Sequence, residues 1–391
     1  MFKAFKYRIY PSEPQKELIA KHIGSSRFVY NLALETKNTA YLGSKHNFSP
    51  FDLIKQLPEL KKECEWLKEV NSQSLQQSIQ NMDIAFKKFF KGAGFPKYKS
   101  KHKGKQSFSI PQNVIVENNL LIIPKFKEGI NIVLHREIKG TIKSATISVT
   151  PTGKYFVSIL VDTNIEIPIK TPITESTTIG IDLGIKDFAI TSDGEVFENP
   201  KYLRKAQSKL KYVQRKYSKH KGKRTKKKLA KLHEDVVNKR KDFLHKLSSK
   251  LISENQTIAL ETLAVKNMVK NHNLAQAVTD VSWSTFVTML EYKADWYGKN
   301  ILRIGQFAPS SKTCSNCGTI NKELTLKDRE WTCGRCSTVL DRDVNAAINI
   351  KSFALKNNLS GEHTLKNQGK LSTMVEVMTL EAQPIGSAVG G

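Results

Sequence analysis

The sequence contains no apolar run long enough to cross a membrane, and its N-terminus has none of the features of a signal peptide. Cysteine is scarce, at 5 residues in 391, and four of the five fall within one short motif. We therefore expect neither a membrane-spanning protein nor a disulfide-stapled secreted fold, since a cytosolic chain keeps its thiols reduced. The hydrophobic fraction of 39% is enough for two or three globular domains.

Acidic residues are also few, with 36 Asp and Glu against 63 Lys and Arg, which gives a net charge of +27. A charge this large attracts polyphosphates, so a nucleic acid is the expected partner. An anionic membrane surface is the competing partner, but no basic amphipathic helix with an aromatic face supports it.

The four clustered cysteines have the spacing C-x2-C-x15-C-x2-C. Each CxxC pair fits a tight knuckle, and the hairpin between the pairs closes a tetrahedron around one Zn²⁺ ion. Four thiolates leave no position for water, so the zinc is expected to be structural. The predicted ligands are Cys314, Cys317, Cys333 and Cys336.

The N-terminal part mixes strand and helix patterns. Residues 2–10, FKAFKYRIY, alternate apolar with basic side chains, which predicts a strand with one buried and one positive face. Helices are expected to begin at Ser12 and to run over 26–42 and 71–90. Short alternating segments at 107–161 predict an antiparallel β-region, which the first strand could close into a small barrel.

Three segments are candidates for contact with nucleic acid. The helix at 71–90 carries four glutamines largely off its apolar stripe, and they are either solvated or read base edges. The loop at 91–106 interleaves aromatic side chains with lysines, which suits base stacking and phosphate contact but also a plain exposed linker. Residues 201–250 contain 20 Lys and Arg against 3 acids, which favours a helical hairpin that binds the phosphate backbone over a solvated face. The candidate residues are Gln73, Gln76, Gln77 and Gln80 on the helix, Lys97 and Tyr98 in the loop, and Lys223, Arg224, Lys226, Lys227 and Lys228 at the hairpin tip.

Three acids stand where the pattern predicts a buried strand end or a helix start: Asp182, Glu261 and Asp343. Taken singly, each could be a turn or capping residue. Burying all three close together is unfavourable unless cations neutralise them, and hard oxygen ligands suit Mg²⁺ or Mn²⁺. Two such ions about 4 Å apart can drive phosphodiester cleavage. Asp341 is a possible neighbour of the ligands, and Asn345 a candidate to orient Asp343.

The order of these motifs resembles a known family. GIDLGIKDFAITSDG, the ALETL strand, the basic helical hairpin, PSSKTCSNCG with WTCGRC, and LDRDVNAAINI follow one another as in the TnpB (OrfB) proteins of insertion sequences. FKYRIYPSEPQKELI is similar to the N-terminal region of that family. TnpB proteins are RNA-guided DNA nucleases with a RuvC-type, ribonuclease H-like domain, related to type V CRISPR effectors. The resemblance extends to about residue 353.

The resemblance implies a multidomain α+β protein. Its parts would be a β-barrel wedge domain (1–11 and 105–165), a helical recognition lobe (12–104), and a RuvC-like α/β domain (166–391). The last would carry a zinc ribbon at 310–338 and a flexible tail from about 355. The three acids would be the catalytic triad, with Mg²⁺ as cofactor, and the motif beside the DNA target would be read near the helix at 71–90.

The implied partners are a guide RNA from the transposon end and a double-stranded DNA target, in the cytoplasm of a prokaryote near its nucleoid. Strand joining would belong to a separate transposase. Three other hypotheses remain open: a catalytically silent RNA-guided repressor, a transposase that joins DNA strands itself, and an actin-fold phosphotransferase. The last would need further glycine-rich phosphate loops, which the sequence does not contain.

Overall fold

The computed structural model describes residues 1–325 and 327–359, without the side chains of residues 266, 272–274 and 359. The chain divides into an N-terminal unit, residues 1–165, and a C-terminal unit that begins at residue 166. Within the described residues, no helix is both long enough and apolar enough to span a bilayer.

The N-terminal unit consists of a seven-stranded sheet and a group of helices. Its strands are β1 (Phe2–Tyr10), β2 (Gln106–Ile110), β3 (Ile115–Glu117), β4 (Leu120–Ile123), β5 (Phe126–Val133), β6 (Thr141–Val149) and β7 (Tyr155–Asp162). Its helices are α1 (Glu13–Ser44), α2 (Pro50–Lys55), α3 (Leu57–Glu63) and α4 (Ser72–Phe89), with a 3-10 turn at Glu65–Glu69.

The sheet has the order β2-β6-β7-β1-β5-β4-β3. Strand β1 lies between β7 and β5 and pairs with both in antiparallel fashion. Tyr7 and Ile9 are fully buried in the core of the sheet, as the alternation of the first strand predicts. The expected closed barrel is not found among the described residues, because β1 joins the middle of the sheet and leaves β2 and β3 as edges.

Helix α1 is continuous from Glu13 to Ser44, so the prediction of a separate helix at 26–42 is wrong. The Gly24-Ser25-Ser26 stretch does not interrupt it, since Ser25 and Ser26 are buried within the helix. The helical core of this unit lies where α1 packs against α4, around residues such as Leu34, Leu75 and Met82. Asn71 caps α4 by accepting the backbone N–H of Gln73.

Within the described residues, the C-terminal unit consists of a five-stranded sheet, six helices and a small hairpin. Its strands are β8 (Thr178–Leu183), β9 (Asp187–Thr191), β10 (Val196–Glu198), β11 (Thr257–Glu261), β12 (Asn300–Ile304), β13 (Glu330–Thr332) and β14 (Val339–Asp341). Its helices are α5 (Tyr202–His220), α6 (Lys223–Glu254), α7 (Val265–Met268), α8 (His272–Val281), α9 (Trp283–Tyr297) and α10 (Arg342–Leu359).

The five-stranded sheet has the order β10-β9-β8-β11-β12. Strands β8, β11 and β12 are parallel, whereas β9 and β10 return antiparallel to their neighbours. Helix α10 packs against β8 and β11 and contributes Ile350 and Ala354 to the core. This helix continues to Leu359, so the predicted start of a tail at about 355 is too early. The rest of the predicted tail lies outside the described residues.

Candidate active site and cysteine cluster

Two of the three acids lie at the carboxyl ends of neighbouring parallel strands. Ile181 of β8 is paired in register with Leu260 of β11. Asp182 and Glu261 each follow one residue later, so they stand at the same level of the sheet. Successive strand residues point to opposite faces, which places Glu261 on the same face as Ala259, the face that α10 covers.

Asp343 reaches this place from the first turn of α10, and Gly180 is the reason that the helix can come so close. A Cβ atom on Gly180 would lie 2.1 Å from the backbone oxygen of Ala347. Asp182 is two residues beyond Gly180 in the strand, a rise of about 6.6 Å. Asp343 is four residues before Ala347 in the helix, a rise of about 6 Å. These two displacements are similar in length, and the charge of Asp343 acts on Asp182, so the first turn of α10 lies near the carboxyl end of β8.

The charges of Asp343 and Glu261 act on Asp182, although within the described residues the three carboxylates do not form a group at ligand distance as the four cysteines do. Burial, together with the charges of Asp343 and Glu261, raises the pKa of Asp182 to about 7. Burial also raises the pKa of Glu261. Buried carboxylates with raised pKa values are common at functional sites, because the charged forms lack compensation. A divalent cation bound by hard oxygen ligands would supply that compensation, so the donor set fits Mg²⁺ or Mn²⁺.

Two arginines that the sequence analysis does not single out contact Asp343. The Nη1 group of Arg329 donates to its Oδ2 atom at 3.0 Å, and Arg342 donates to its Oδ1 atom from Nε at 3.0 Å and from Nη2 at 2.8 Å. Asp341 is a helix cap, since its Oδ1 atom accepts the backbone N–H groups of Asp343 and Val344.

The four cysteines form one compact cluster. Their sulfur atoms all lie within 4.8 Å of one another, with Cys314 to Cys336 at 3.6 Å and Cys317 to Cys333 at 3.5 Å. Four thiolates bound to zinc at about 2.3 Å would be separated by about 3.8 Å in a tetrahedron. The cluster is therefore compatible with a structural zinc site, as its spacing predicts.

The two CxxC pairs form matching knuckles. In the first, the N–H of Gly318 donates to the oxygen of Cys314, and in the second the N–H of Ser337 donates to the oxygen of Cys333, both at 2.9 Å. Gly318 and Ser337 both have positive φ, at 77° and 58°. The hydroxyl of Thr338 hydrogen-bonds the sulfur of Cys336 and lowers the pKa of that thiol to about 6, which favours the metal-binding thiolate.

Asn345 and Asn349 attach the cysteine cluster to α10. Asn345 donates to the oxygen of Thr313 at 2.7 Å and accepts the N–H of Ser315 at 2.8 Å. Asn349 donates to the oxygens of Ser310 and Thr313 at 2.7 and 2.6 Å. The suggestion that Asn345 orients Asp343 is therefore wrong, because its amide holds the first knuckle instead.

The four glutamines lie along one side of α4, at spacings of three and four residues. Gln80 is exposed and the other three are half-buried. Gln77 donates to Asn81, and the side-chain oxygen of Gln73 is buried without a hydrogen-bond partner among the described residues.

The basic loop is fixed to α1. Asn31 exchanges two hydrogen bonds with the backbone of Lys99, and the hydroxyl of Tyr98 donates to Glu35. Lys97 and Tyr98 both remain exposed. The loop therefore presents these two side chains to solvent from an anchored backbone, which removes part of the ordering cost of a contact there.

The basic segment forms the expected helical hairpin, α5 and α6, with its tip at Lys221 and Gly222. Lys223, Arg224 and the lysines at 226–228 are all exposed in the first two turns of α6. Within the part of the chain that the structure describes, none of these five residues forms an ion pair. The positive end of the helix dipole lies here too, so the arrangement is unfavourable for the isolated helix.

Three family models match the chain. Residues 158–272 match the OrfB model of IS605, described as "Probable transposase", and residues 283–350 match "Cas12f1-like, TNB domain". Residues 1–45 match a model of OrfB of IS605 described as "Helix-turn-helix domain". In this structure residues 1–45 form strand β1 followed by the single helix α1, which is not a helix-turn-helix arrangement.

Two relatives named "Putative RNA-guided DNA endonuclease" align with nearly the whole chain. The one from Streptomyces pristinaespiralis is 38% identical over 372 residues, which cover 92% of this chain and 91% of the relative. The other, InsQ of Escherichia coli (strain K12), is 30% identical over 373 residues, which cover 89% and 91%. Among solved structures, a Cas12f1–sgRNA–target DNA complex matches with a TM-score of 0.36 and 16% identity, over 90% of this chain and 99% of that one.

The acids near the strand ends of the C-terminal sheet, the four-cysteine hairpin and the match to the OrfB model over 158–272 together indicate an OrfB-type protein. The sequence identity with the two relatives, and the share of both chains that the alignments cover, then assign the family. The chain belongs to the TnpB (OrfB) family.

Proposed function

We propose that this protein is an RNA-guided DNA endonuclease that cuts by metal-assisted hydrolysis of a phosphodiester bond. The observation that carries the proposal is that Asp182 and Glu261 lie near the ends of neighbouring parallel strands, and that burial and the charges of Asp343 and Glu261 raise the pKa of Asp182 to about 7. The names of the two relatives with nearly full coverage support the guidance by RNA and the DNA substrate.

The topology of the C-terminal unit supports a ribonuclease H-like, RuvC-type domain. Three antiparallel strands, β10, β9 and β8, are extended by the parallel strands β11 and β12, and Asp182 and Glu261 stand near the ends of the neighbouring strands β8 and β11. Carboxyl ends of parallel strands are where open α/β sheets bind ligands. The cysteine hairpin would be the zinc ribbon of such a domain.

The three carboxylates would act by keeping their negative charges at fixed positions. Asp182 and Glu261 are fixed by strand backbone, and Asp343 is fixed by the capped start of α10, so little reorganisation is needed when a cation and a phosphate arrive. Bound Mg²⁺ would supply an activated water and stabilise the leaving oxygen. The raised pKa of Asp182 means that its proton competes with cation binding below about pH 7.

Binding of the guide RNA and the target duplex would use the exposed cations. The hairpin tip at 223–228 carries five charges that no acid neutralises within the described chain, and it offers the backbone N–H groups of a helix start as well. Lys97 and Tyr98, in the anchored loop, would contact a strand of the nucleic acid. The four glutamines of α4 are candidates to read the motif beside the target. We infer that the N-terminal sheet is the wedge, that its helices are the recognition lobe, and that strand joining belongs to a separate transposase.

The test uses purified protein, its copurifying RNA, a matched DNA duplex and Mg²⁺. The parent should cut the duplex, whereas Asp182→Ala and Asp343→Ala should bind it with unchanged affinity and cut several orders of magnitude more slowly. Asp193→Ala is the matched control, because Asp193 is an exposed acid in the turn after β9. Equal cutting by all variants would reject the assignment of the site. Tight binding by the parent without cutting would instead support a silent RNA-guided repressor.

A further inference from the structure

The carboxylate of Asp343 is held on both oxygens by guanidinium groups from two different elements. Arg342 is its neighbour in the chain and its side chain is 12% exposed. Arg329 comes from the segment just before β13, in the hairpin of the cysteine cluster, and its side chain is 49% exposed. The hairpin that carries the four cysteines, called the ribbon below, therefore contributes a charged side chain to the site formed by Asp182, Glu261 and Asp343, called the three-acid site.

The backbone of the hairpin fixes where Arg329 stands. The N–H of Arg342 donates to the carbonyl oxygen of Arg329 at 2.7 Å. One residue later, Glu330 of β13 is paired in register with Asp341 of β14, the residue that caps α10. These backbone contacts hold Arg329 of the ribbon beside the first residues of α10. The contact of its guanidinium with Asp343 therefore depends on the folding of the ribbon.

We propose that Arg329 lowers the affinity of the three-acid site for its divalent cation, so that the ribbon controls metal loading of that site. This inference rests on the proposed function, since it assumes that Asp182, Glu261 and Asp343 bind the cation.

Two physical effects oppose each other at Asp343. A carboxylate has about four lone-pair positions, and three of them accept hydrogen bonds from Arg329 and Arg342. A cation that binds Oδ2 would share this oxygen with Arg329 and be repelled by its charge. Arg329 also helps to orient the carboxylate, but Arg342 makes two bonds to Oδ1 and keeps that orientation without it. Repulsion is therefore the larger contribution of Arg329.

The experiment measures Mn²⁺ binding to protein free of nucleic acid, through the paramagnetic resonance signal of the unbound ion. Arg329→Gln should bind Mn²⁺ about fivefold more tightly than the parent, which corresponds to the interaction energy of a partly exposed ion pair. Arg329→Lys should stay close to the parent, because it keeps the charge. Arg335→Gln is the matched control, since Arg335 lies in the same ribbon, is exposed, and has no ion pair within the described chain.

Zinc content is measured on each variant to show that the ribbon is intact. Unchanged or weaker Mn²⁺ binding by Arg329→Gln would overturn the inference, and so would an equal gain in Arg335→Gln. The proposed function fails in a different way: Asp182→Asn would then bind as much Mn²⁺ as the parent does. If Asp182→Asn loses the ion while Arg329→Gln binds it like the parent, only the role of Arg329 is rejected.

Discussion

Asp182→Asn should make the protein more stable in the absence of magnesium, although it should abolish cutting. The native carboxyl has a pKa of about 7 against an ordinary value of 3.8. Each pKa unit corresponds to 1.36 kcal/mol, so the ionised form costs about 4 kcal/mol at pH 8. An asparagine removes the charge but leaves a buried amide that needs partners. We expect a gain of about 2 kcal/mol, or a rise of roughly 4–8 °C in Tm.

The gain should depend on pH in a defined direction. Below about pH 4 the carboxyl of Asp182 is protonated in both the folded and the unfolded chain, so the substitution changes no charge. Between about pH 4 and pH 7 the unfolded chain has lost this proton and the folded chain keeps it, so the stability of the parent falls as the pH rises. Above about pH 7 the full penalty is present. The variant should therefore differ most from the parent at pH 8.

The assay is thermal unfolding in magnesium-free buffer at pH 8 and pH 5, without a chelator that would extract zinc. Tryptophan fluorescence suits it, because Trp283, Trp296 and Trp331 all lie in the C-terminal unit. Asp193→Asn, on the surface, should melt like the parent at both pH values. The reasoning is refuted if Asp182→Asn melts no higher than the parent at pH 8, or if its gain is as large at pH 5.

Three further changes test other parts of the structure. Cys333→Ser should lose most of one zinc equivalent per chain by elemental analysis and destabilise the ribbon, since metal binding contributes to its folding; full retention of zinc would contradict a four-thiolate site. Changing Lys226, Lys227 and Lys228 together to Gln should reduce the slope of log affinity against log salt by about 2, because fewer counterions are released; an unchanged slope would make this tip a solvated face. Gly180→Ala should cost about 1–3 kcal/mol in the free energy of unfolding and slow cutting, because its Cβ would push α10 away; unchanged stability and cutting would show that α10 accommodates it.

The positions of Asp182 and Glu261 near the ends of strands could be predicted from the sequence, because the signals are local. An apolar strand that ends in a carboxylate is visible in both TIGID and IALE, and the ends of parallel neighbouring strands must meet. The cysteine spacing predicts a compact cluster for the same reason. Arg329 has no such signal: it is one exposed charge beside a three-residue strand, and only the fold of the hairpin brings it to Asp343.

The fold of the N-terminal unit is harder to read from the sequence, because its decisive contacts are distant in the chain. Gly24-Ser25-Ser26 resembles a helix break, but both serines are buried within α1, which packs against α4 and β2 and stays intact. The alternation of the first strand correctly predicts one buried face. Its place between β7 and β5 depends on pairings across more than a hundred residues, which alternation does not encode.

The position of α10 so late in the chain has a consequence for protein synthesis. At 5–20 residues per second a ribosome reaches Asp343 roughly 8–30 s after Asp182, and by then it has completed the whole basic hairpin and Glu261. Until then Ala259 and Ile304 lack the covering side chains of Ile350 and Ala354. Just before Asp343 is added, the nascent chain has its cationic surface but only two of its three acids. Any fragment that ends before Arg342 would therefore be a strongly basic polypeptide with an exposed apolar sheet face and an incomplete acid site.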